Sequence, residues 1–309
     1  MRTVTFTLCP AYDLHCTAER FTVGREHSAV LDSFDAGGKG VNVSRALKAL
    51  DTDSLCAVLV GEEDREDFLR RLSKDGLRTR SLSFPGAIRR NITVHSDSET
   101  RISFDGFSAG PEAADWVRSV SDQLAEGDFA ALCGRIPKGI EKDEIAGIFR
   151  GLSRRGVKIA VDCGSLSPEE IISMRPFLIK PNAQEAERFF GSDPRDSGAL
   201  TDAAKRIRDA GVENVMISLG AGGAILAAPD GEFSVAAPEV ETVSTIGAGD
   251  SAVAGFIAAH QRGFGSRDKL ICAVACGSAA CLQRGTRPPE AGDIARLTAK
   301  MGGKTWLRG

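Results

Sequence analysis

Nowhere in the 309 residues is there an uninterrupted apolar run of about 18, the length that a membrane-spanning helix needs. No transmembrane helix is expected. The opening MRTVTFTLCPAYD breaks after a short strand-like run and lacks the apolar stretch of a secretory signal, so a cytoplasmic protein is expected. None of the eight cysteines forms a C-x-x-C pair, and a chain of this length with a sizeable core needs no disulfide framework. Cys272 and Cys276 stand one helical turn apart, but no His or Cys set completes a metal site beside them; they read as small apolar packing. Basic residues do not cluster, the pairs Arg70–Arg71, Arg89–Arg90 and Arg154–Arg155 being scattered, and the net charge is −3. Nucleic acid is therefore not an expected partner. There is no internal repeat, low-complexity tract or Pro-rich linker, and the chain reads as one domain over residues 1–309.

What is present is an ordinary globular composition, 42% hydrophobic and 26% charged. From about residue 110, short strand patterns alternate with helical ones: FAALC (129–133), VKIAVD (157–162), FLIK (177–180) and VMISL (215–219). These strands are apolar throughout, so both faces should be covered by helices. TVTFTL (3–8) and SLCAVLV (54–60) are expected to join them in a mostly parallel α/β sheet. Residues 14–35 and 80–107 break the rhythm, being polar, β-branched and without helical periodicity. They predict exposed strands forming a small sheet over the carboxyl edge of the main one, where ligands of open α/β folds bind; such a sheet would act as a lid. The segment 191–199 reads as a loop before a helix.

Two glycine sites carry the chemistry. In TVSTIGAGDSAVAGFIAA (242–259), Gly247, Ala248 and Gly249 let the backbone turn sharply, and a helix follows from about Asp250. Asp in a first helical turn is commonplace, and Gly-Ala-Gly alone is a tight loop. The residues after it, however, leave almost no polar face, which implies a helix sunk in the core. A carboxylate at the mouth of a buried helix, beside unpartnered N–H groups, has the parts for phosphoryl transfer: a base for a hydroxyl and a cradle for the phosphate. The second site, DAGGKGVNVSRALKAL (35–50), sets Gly37, Gly38 and Gly40 around Lys39 and places Asn42 near the start of a helix. It is either a plain glycine turn or a place where a cation and an amide meet a polyol.

AGGKGVNVSRAL and STIGAGDSAVAGF resemble, in order and spacing, the two signatures of the ribokinase-like (PfkB-type) sugar kinases. KPNAQE (180–185) resembles that family's magnesium-associated N-x-x-E segment, and SLGAGG (218–223) its nucleotide loop. TLCPAYD (7–13), IRRNIT (88–93), FLIKPN and ACGSAA are most similar to the bacterial hexose-phosphate branch, the 1-phosphofructokinases and tagatose-6-phosphate kinases. The resemblance implies a ribokinase-like fold, ATP and Mg²⁺, and phosphorylation of a ketohexose phosphate, with fructose 1-phosphate the first choice. Tagatose 6-phosphate, fructose 6-phosphate, another sugar or a nucleoside on the same fold are alternatives, as is a sugar-binding protein without activity. It implies Asp250 as base, with the backbone of Gly247, Ala248 and Gly249 as anion seat. Asp13, Gly37, Gly38, Lys39, Asn42, Arg89, Asn91 and Arg135 are assigned to the sugar phosphate. Lys180, Asn182, Ser218, Gly220, Gly223 and Thr245 are assigned to ATP, and Glu185 to Mg²⁺ indirectly. Three positions depart from the pattern: Cys9 stands where Asn is usual, Ser103 where Asn is usual and Arg135 where Ser is usual. Arg135 could grip the sugar's phosphate or point away and reflect a changed substrate. A homodimer through the lid is expected, because an exposed sheet needs its edge and outer face covered.

Overall fold

The apolar runs lie side by side in one sheet. The computed structural model describes residues 1–191, 193 and 195–307; of the loop expected over 191–199, residues 192 and 194 lie outside the described residues, and 197–199 instead open a helix. In chain order the strands are β1 (Thr3–Thr7), β2 (Ala11–Thr17), β3 (Val30–Gly37), β4 (Leu55–Gly61), β5 (Arg78–Phe84), β6 (Arg89–His95), β7 (Glu99–Ser103), β8 (Phe129–Gly134), β9 (Lys158–Cys163), β10 (Leu178–Ile179), β11 (Asn214–Ser218), β12 (Ala224–Ala228) and β13 (Gly231–Val235). Among the described residues, nine strands form the large sheet in the order β13-β12-β11-β10-β9-β8-β1-β4-β5. Neighbours from β11 to β5 run parallel, and β12 and β13 are added antiparallel.

The helices are α1 (Lys39–Ala49), α2 (Arg65–Lys74), α3 (Glu112–Ser121), α4 (Lys142–Arg154), α5 (Pro168–Ser173), α6 (Ala183–Phe190), α7 (Ser197–Asp209), α8 (Ala248–Gln261), α9 (Ser266–Ala280) and α10 (Ala291–Lys300). Both faces of the sheet are covered, as the unbroken apolar strands require. One core gathers Phe68 of α2, Val117 of α3, Phe149 of α4 and Leu200 of α7. The other gathers Leu47 of α1, Phe256 of α8, Leu270 of α9 and Leu297 of α10. Helix α8 is buried on nearly every side. It lies close to α9 because Gly255 has no side chain: a Cβ there would stand 2.8 Å from the Cys272 carbonyl oxygen and 2.8 Å from Cys276 Sγ. Cys272 and Cys276 thus pack as small apolar residues, and all eight cysteines are free.

The second sheet has the order β3-β2-β6-β7, with β2 and β6 parallel and the outer pairs antiparallel. Its extent corrects the expectation for residues 80–84. That segment lies in β5, which pairs in parallel with β4 at the edge of the large sheet. Its polar character is that of a sheet edge, where charged residues such as Arg78 and Arg80 are exposed and discourage further pairing. The small sheet also begins earlier, at Ala11, and β3 runs on to Gly37, so it grows directly out of β1 and leads directly into α1.

Candidate functional site

Loops at the carboxyl ends of parallel strands are where open α/β sheets bind ligands. Here β8 leads to Arg135, β9 ends with Asp162 and Cys163, and β10 leads to Lys180. The N-termini of α1 and α8 bring Lys39, Asn42 and Asp250 to the same place, since Asn42 Nδ2 donates to Asp250 Oδ2 at 2.8 Å. Gly38 caps α1 with φ 126°, and a Cβ on it would stand 2.7 Å from Thr7 Cγ2, so this turn against β1 requires glycine.

Asp250 is 6% exposed. Burial, with the neighbouring Asp162 charge, pushes its carboxyl up to about 6, while Lys39, the Asn42 hydrogen bond and Lys180 partly offset this. Gly247 caps α8 with φ 79°, and the first helical bond is Ser251 N–H to the Gly247 carbonyl at 2.9 Å. Among the described residues, the N–H groups of Gly247, Gly249 and Asp250 make no hydrogen bond, whereas the Ala248 N–H turns inward to the Thr245 carbonyl at 3.4 Å. A Cβ on Gly249 would lie 3.0 Å from Lys180 Nζ, so the glycine keeps open the space between this helix end and the lysine.

Asp162, which the sequence reading passed over as the end of a strand, is a centre of the site. Lys39 Nζ donates to its Oδ1 at 2.7 Å and Lys180 Nζ lies 3.6 Å from its Oδ2. Burial works against the Asp162 charge, but Lys180 and Lys39 outweigh it and hold its carboxyl below the ordinary value. Burial likewise works against the Lys39 ammonium, and Asp162, with Asp250 beyond it, raises its pKa overall. Two carboxylates and two ammonium groups thus form one charged cluster. Asp162, Lys180 and Glu185 also line a cleft that opens to solvent.

The small sheet contributes a second polar group. Asn91 Nδ2 donates to Asp13 Oδ1 at 2.7 Å, and Arg101, another residue the sequence reading did not single out, lies 3.3 Å from the same oxygen. Arg89 Nη1 donates to Asn91 Oδ1 at 3.4 Å, while its Nε is buried without a partner. Arg135 is exposed, and both it and Arg89 act on the Cys9 thiol, whose pKa burial nevertheless raises. Gly37 packs against Asp13 Oδ2, where a side chain would collide. Ser103 pairs with Asn91 across the β6–β7 ladder and is exposed.

The N-x-x-E segment forms a capping box on α6: Asn182 Oδ1 accepts from the Glu185 N–H at 2.8 Å, and Glu185 Oε2 accepts from the Asn182 N–H at 2.9 Å. Asn182 also bridges to Ser218, which brings the segment against the Gly220–Gly222 turn. Gly223, at φ 93°, packs on the Val235 carbonyl, so its glycine is required by the β12–β13 hairpin. Thr245 is exposed just before α8.

Comparisons with known proteins identify the family and the fold. The 1-phosphofructokinase of Haemophilus influenzae is 30% identical over 286 residues, 91% of each chain. That of Escherichia coli K12 is 31% identical over 305 residues, 97% of each chain. Among solved structures, phosphofructokinase-2 from Escherichia coli in complex with substrates and products has a TM-score of 0.91 at 23% identity, covering 98% of this chain and 100% of that one, a likeness of fold. The family model for pfkB carbohydrate kinases matches residues 4–291, and the chain belongs to that family.

Proposed function

We propose that this carbohydrate kinase transfers the γ-phosphoryl group of ATP to a hydroxyl of a ketohexose phosphate, fructose 1-phosphate giving fructose 1,6-bisphosphate. The relatives named 1-phosphofructokinase, matched over nearly the whole chain, support this substrate. So do the guanidinium groups of Arg89 and Arg135 beside Cys9, which suit a dianion.

The observation that carries the mechanism is the Asp250 carboxylate, buried at the first turn of α8, poised near pH 6 and flanked by unpartnered N–H groups. A sugar hydroxyl against Asp250 gives its proton to the carboxylate as its oxygen bonds to the γ-phosphorus, and ADP leaves with the bridging oxygen and its electron pair. The free N–H groups at Gly247, Gly249 and Asp250 take up the charge on the transferring group. Lys39 and Lys180, held by Asp162, neutralise the phosphates. Asp13 and Asn91 hold sugar hydroxyls, with Gly37 leaving room for the Asp13 carboxylate and Gly38 for the turn against β1. Asn182, Ser218, Gly220, Gly223 and Thr245 border the nucleotide.

Mg²⁺ is commonly held by one or two carboxylates together with nucleotide phosphates, and Glu185 suits such a part. Its Oε2 caps α6, its Oε1 makes no hydrogen bond among the described residues, and it shares the cleft with Lys180. When bound, the ion would neutralise negative charge on the nucleotide's phosphates. The exposed Val30, Leu31, Ile102 and Phe104 of the small sheet and its margin suit a lid-to-lid homodimer.

Asp250→Asn should retain the fold and ATP binding and lose roughly 10²–10⁴ in turnover, the share of a positioned acid–base group. A coupled ADP-release assay over fructose 1-phosphate, tagatose 6-phosphate, fructose 6-phosphate and free fructose reads both points. Near-normal turnover in the variant removes Asp250 from the mechanism, and preference for a free sugar overturns the substrate.

A further inference from the structure

The two ends of the Asn42 amide are chemically opposite, one donating and one accepting. Nδ2 donates to Asp250 Oδ2 at 2.8 Å, and Oδ1 accepts from Arg45 Nη1 at 3.3 Å. Asn42 and Arg45 lie three residues apart on α1, one above the other on the same face. A guanidinium has five donors and no acceptor, so it tolerates only the amide oxygen. Turning the amide over would set NH₂ against guanidinium and oxygen against carboxylate.

Arg45 is itself clamped. It is 7% exposed, its Nε donates to Asp75 Oδ2 at 2.8 Å, and its Nη2 lies 2.6 Å from the same oxygen. Nη2 also donates to the Ala36 carbonyl at 2.6 Å. Asp75 closes the C-terminal end of α2, and Ala36 lies next to the last residue of β3, so three elements fix one cation. A buried charge paired and hydrogen-bonded in this way is held in one geometry.

We propose that Arg45 is a positioning residue for phosphoryl transfer: the chain Asp75–Arg45–Asn42 keeps the NH₂ end of the Asn42 amide on Asp250. The role rests on Asp250 being the base of the reaction proposed above. Arg45 touches neither the base nor any reacting atom; it acts by allowing a single orientation of the amide that does touch it. Its contact with the Ala36 carbonyl also ties that orientation to β3, whose Gly37 packs on Asp13. The base and the sugar-facing carboxylate therefore share one anchor.

The test is the pH profile of kcat. The charged and titratable groups facing Asp250 are Lys39 of α1, Cys133 of β8, Asp162 of β9 and Lys180 after β10, and none of them contacts Arg45 in the hydrogen bonds described above. A base must be ionised, so kcat rises with pH through the Asp250 titration. In Arg45→Met the amide is free to turn, the donation to Asp250 weakens, and the proton is held more tightly. The acid limb should move to higher pH by about half to one unit, the worth of one hydrogen bond. Arg45→Lys should restore part of the shift. Asp75→Asn, at a position whose side chain is 40% exposed, loosens the clamp without emptying the buried site. It should shift the limb in the same direction by less, and it carries the test if Arg45→Met does not fold. In an Asn42→Ala background, Arg45→Met should add no further shift. An acid limb that stays in place in Arg45→Met and Asp75→Asn overturns the role of Arg45, as does a shift that persists without Asn42. A wild-type profile with no acid limb near pH 6 instead counts against Asp250 as the base.

Discussion

Replacing Asp250 by Asn should stabilise the protein while it disables it. A carboxyl that titrates at 3.8 in an unfolded chain is pushed up to about 6 in the folded one, so the native state resists its ionisation. At about 1.4 kcal/mol per pH unit, this costs the folded state about 3 kcal/mol wherever both states are ionised. The sign follows from the direction of the shift. Well below pH 3.8 the group is protonated in both states and the penalty vanishes; well above 6 it is ionised in both and the penalty is complete. Asn resembles the protonated acid and can still accept from Asn42 Nδ2, so it removes the penalty without breaking the contact. For a chain of this size about 3 kcal/mol corresponds to a rise in Tm of roughly 5 °C. Thermal unfolding of wild type and variant at pH 8 and pH 4 measures it. The gain should be nearly complete at pH 8 and mostly lost at pH 4. A variant no more stable than wild type at pH 8, or equally stabilised at both values, refutes the idea that burial of a working charge is what raises this carboxyl.

Glu185→Gln keeps the capping box, which accepts either residue at this position, and removes only the charge. The half-saturating Mg²⁺ concentration should rise while Tm stays close to wild type; an unchanged magnesium titration sinks the assignment. Arg89→Ala and Arg135→Ala should each cost ~1.5–3 kcal/mol in kcat/KM for the phosphorylated sugar, the scale of a hydrogen bond to a charged partner, and much less for the free sugar. Equal losses for both sugars mean that these arginines do not read a phosphate. Leu31→Asp, on the exposed margin of the small sheet, should convert a dimer into a monomer by light scattering; an unaltered mass refutes lid-to-lid pairing.

Much of the fold was legible because its strands are apolar without interruption, a pattern that only two-sided burial explains. FAALC and SLCAVLV form interior strands of the sheet within one residue of the expected bounds. Residues 80–84 misled because an edge strand is polar for the same reason a lid strand is, exposure on one side. The glycine sites were legible because turns that admit little or no side chain leave a mark in the sequence, as at Gly38 and Gly247. Asp162 left no such mark. Its partners lie 123 residues before it and 18 after it: the N-terminus of α1 brings Lys39, and the parallel pairing of β9 with β10 brings Lys180. Arg45 was hidden differently: it sits inside a recognised motif, but its anchor, Asp75, is 30 residues further along at the end of α2.

The contrast between Asp162 and Asp250 gives the site its polarity. Both are buried carboxylates in one charged cluster, and the Asp162 charge raises the proton affinity of Asp250. Asp162 takes the direct contacts of both ammonium groups, so it stays ionised and serves as their anchor. Among the described residues, the hydrogen bond to the Asp250 carboxylate comes from the Asn42 amide, and the lysines act at longer range, so its proton affinity rises toward the range in which a base can both accept and release a proton near neutrality. Environments that push two carboxyls apart in this way assign their roles: one holds charge, the other moves a proton. If Lys39 and Lys180 leave Asp162 for the phosphates of ATP, Asp162 loses its partners at the moment the negative charge of the nucleotide arrives. Asp162→Asn should therefore free both lysines, draw the acid limb of kcat to lower pH by removing the like charge from Asp250, and weaken the coupling between nucleotide binding and that limb. A limb that moves to higher pH instead would mean that the lysines, not Asp162, govern the base.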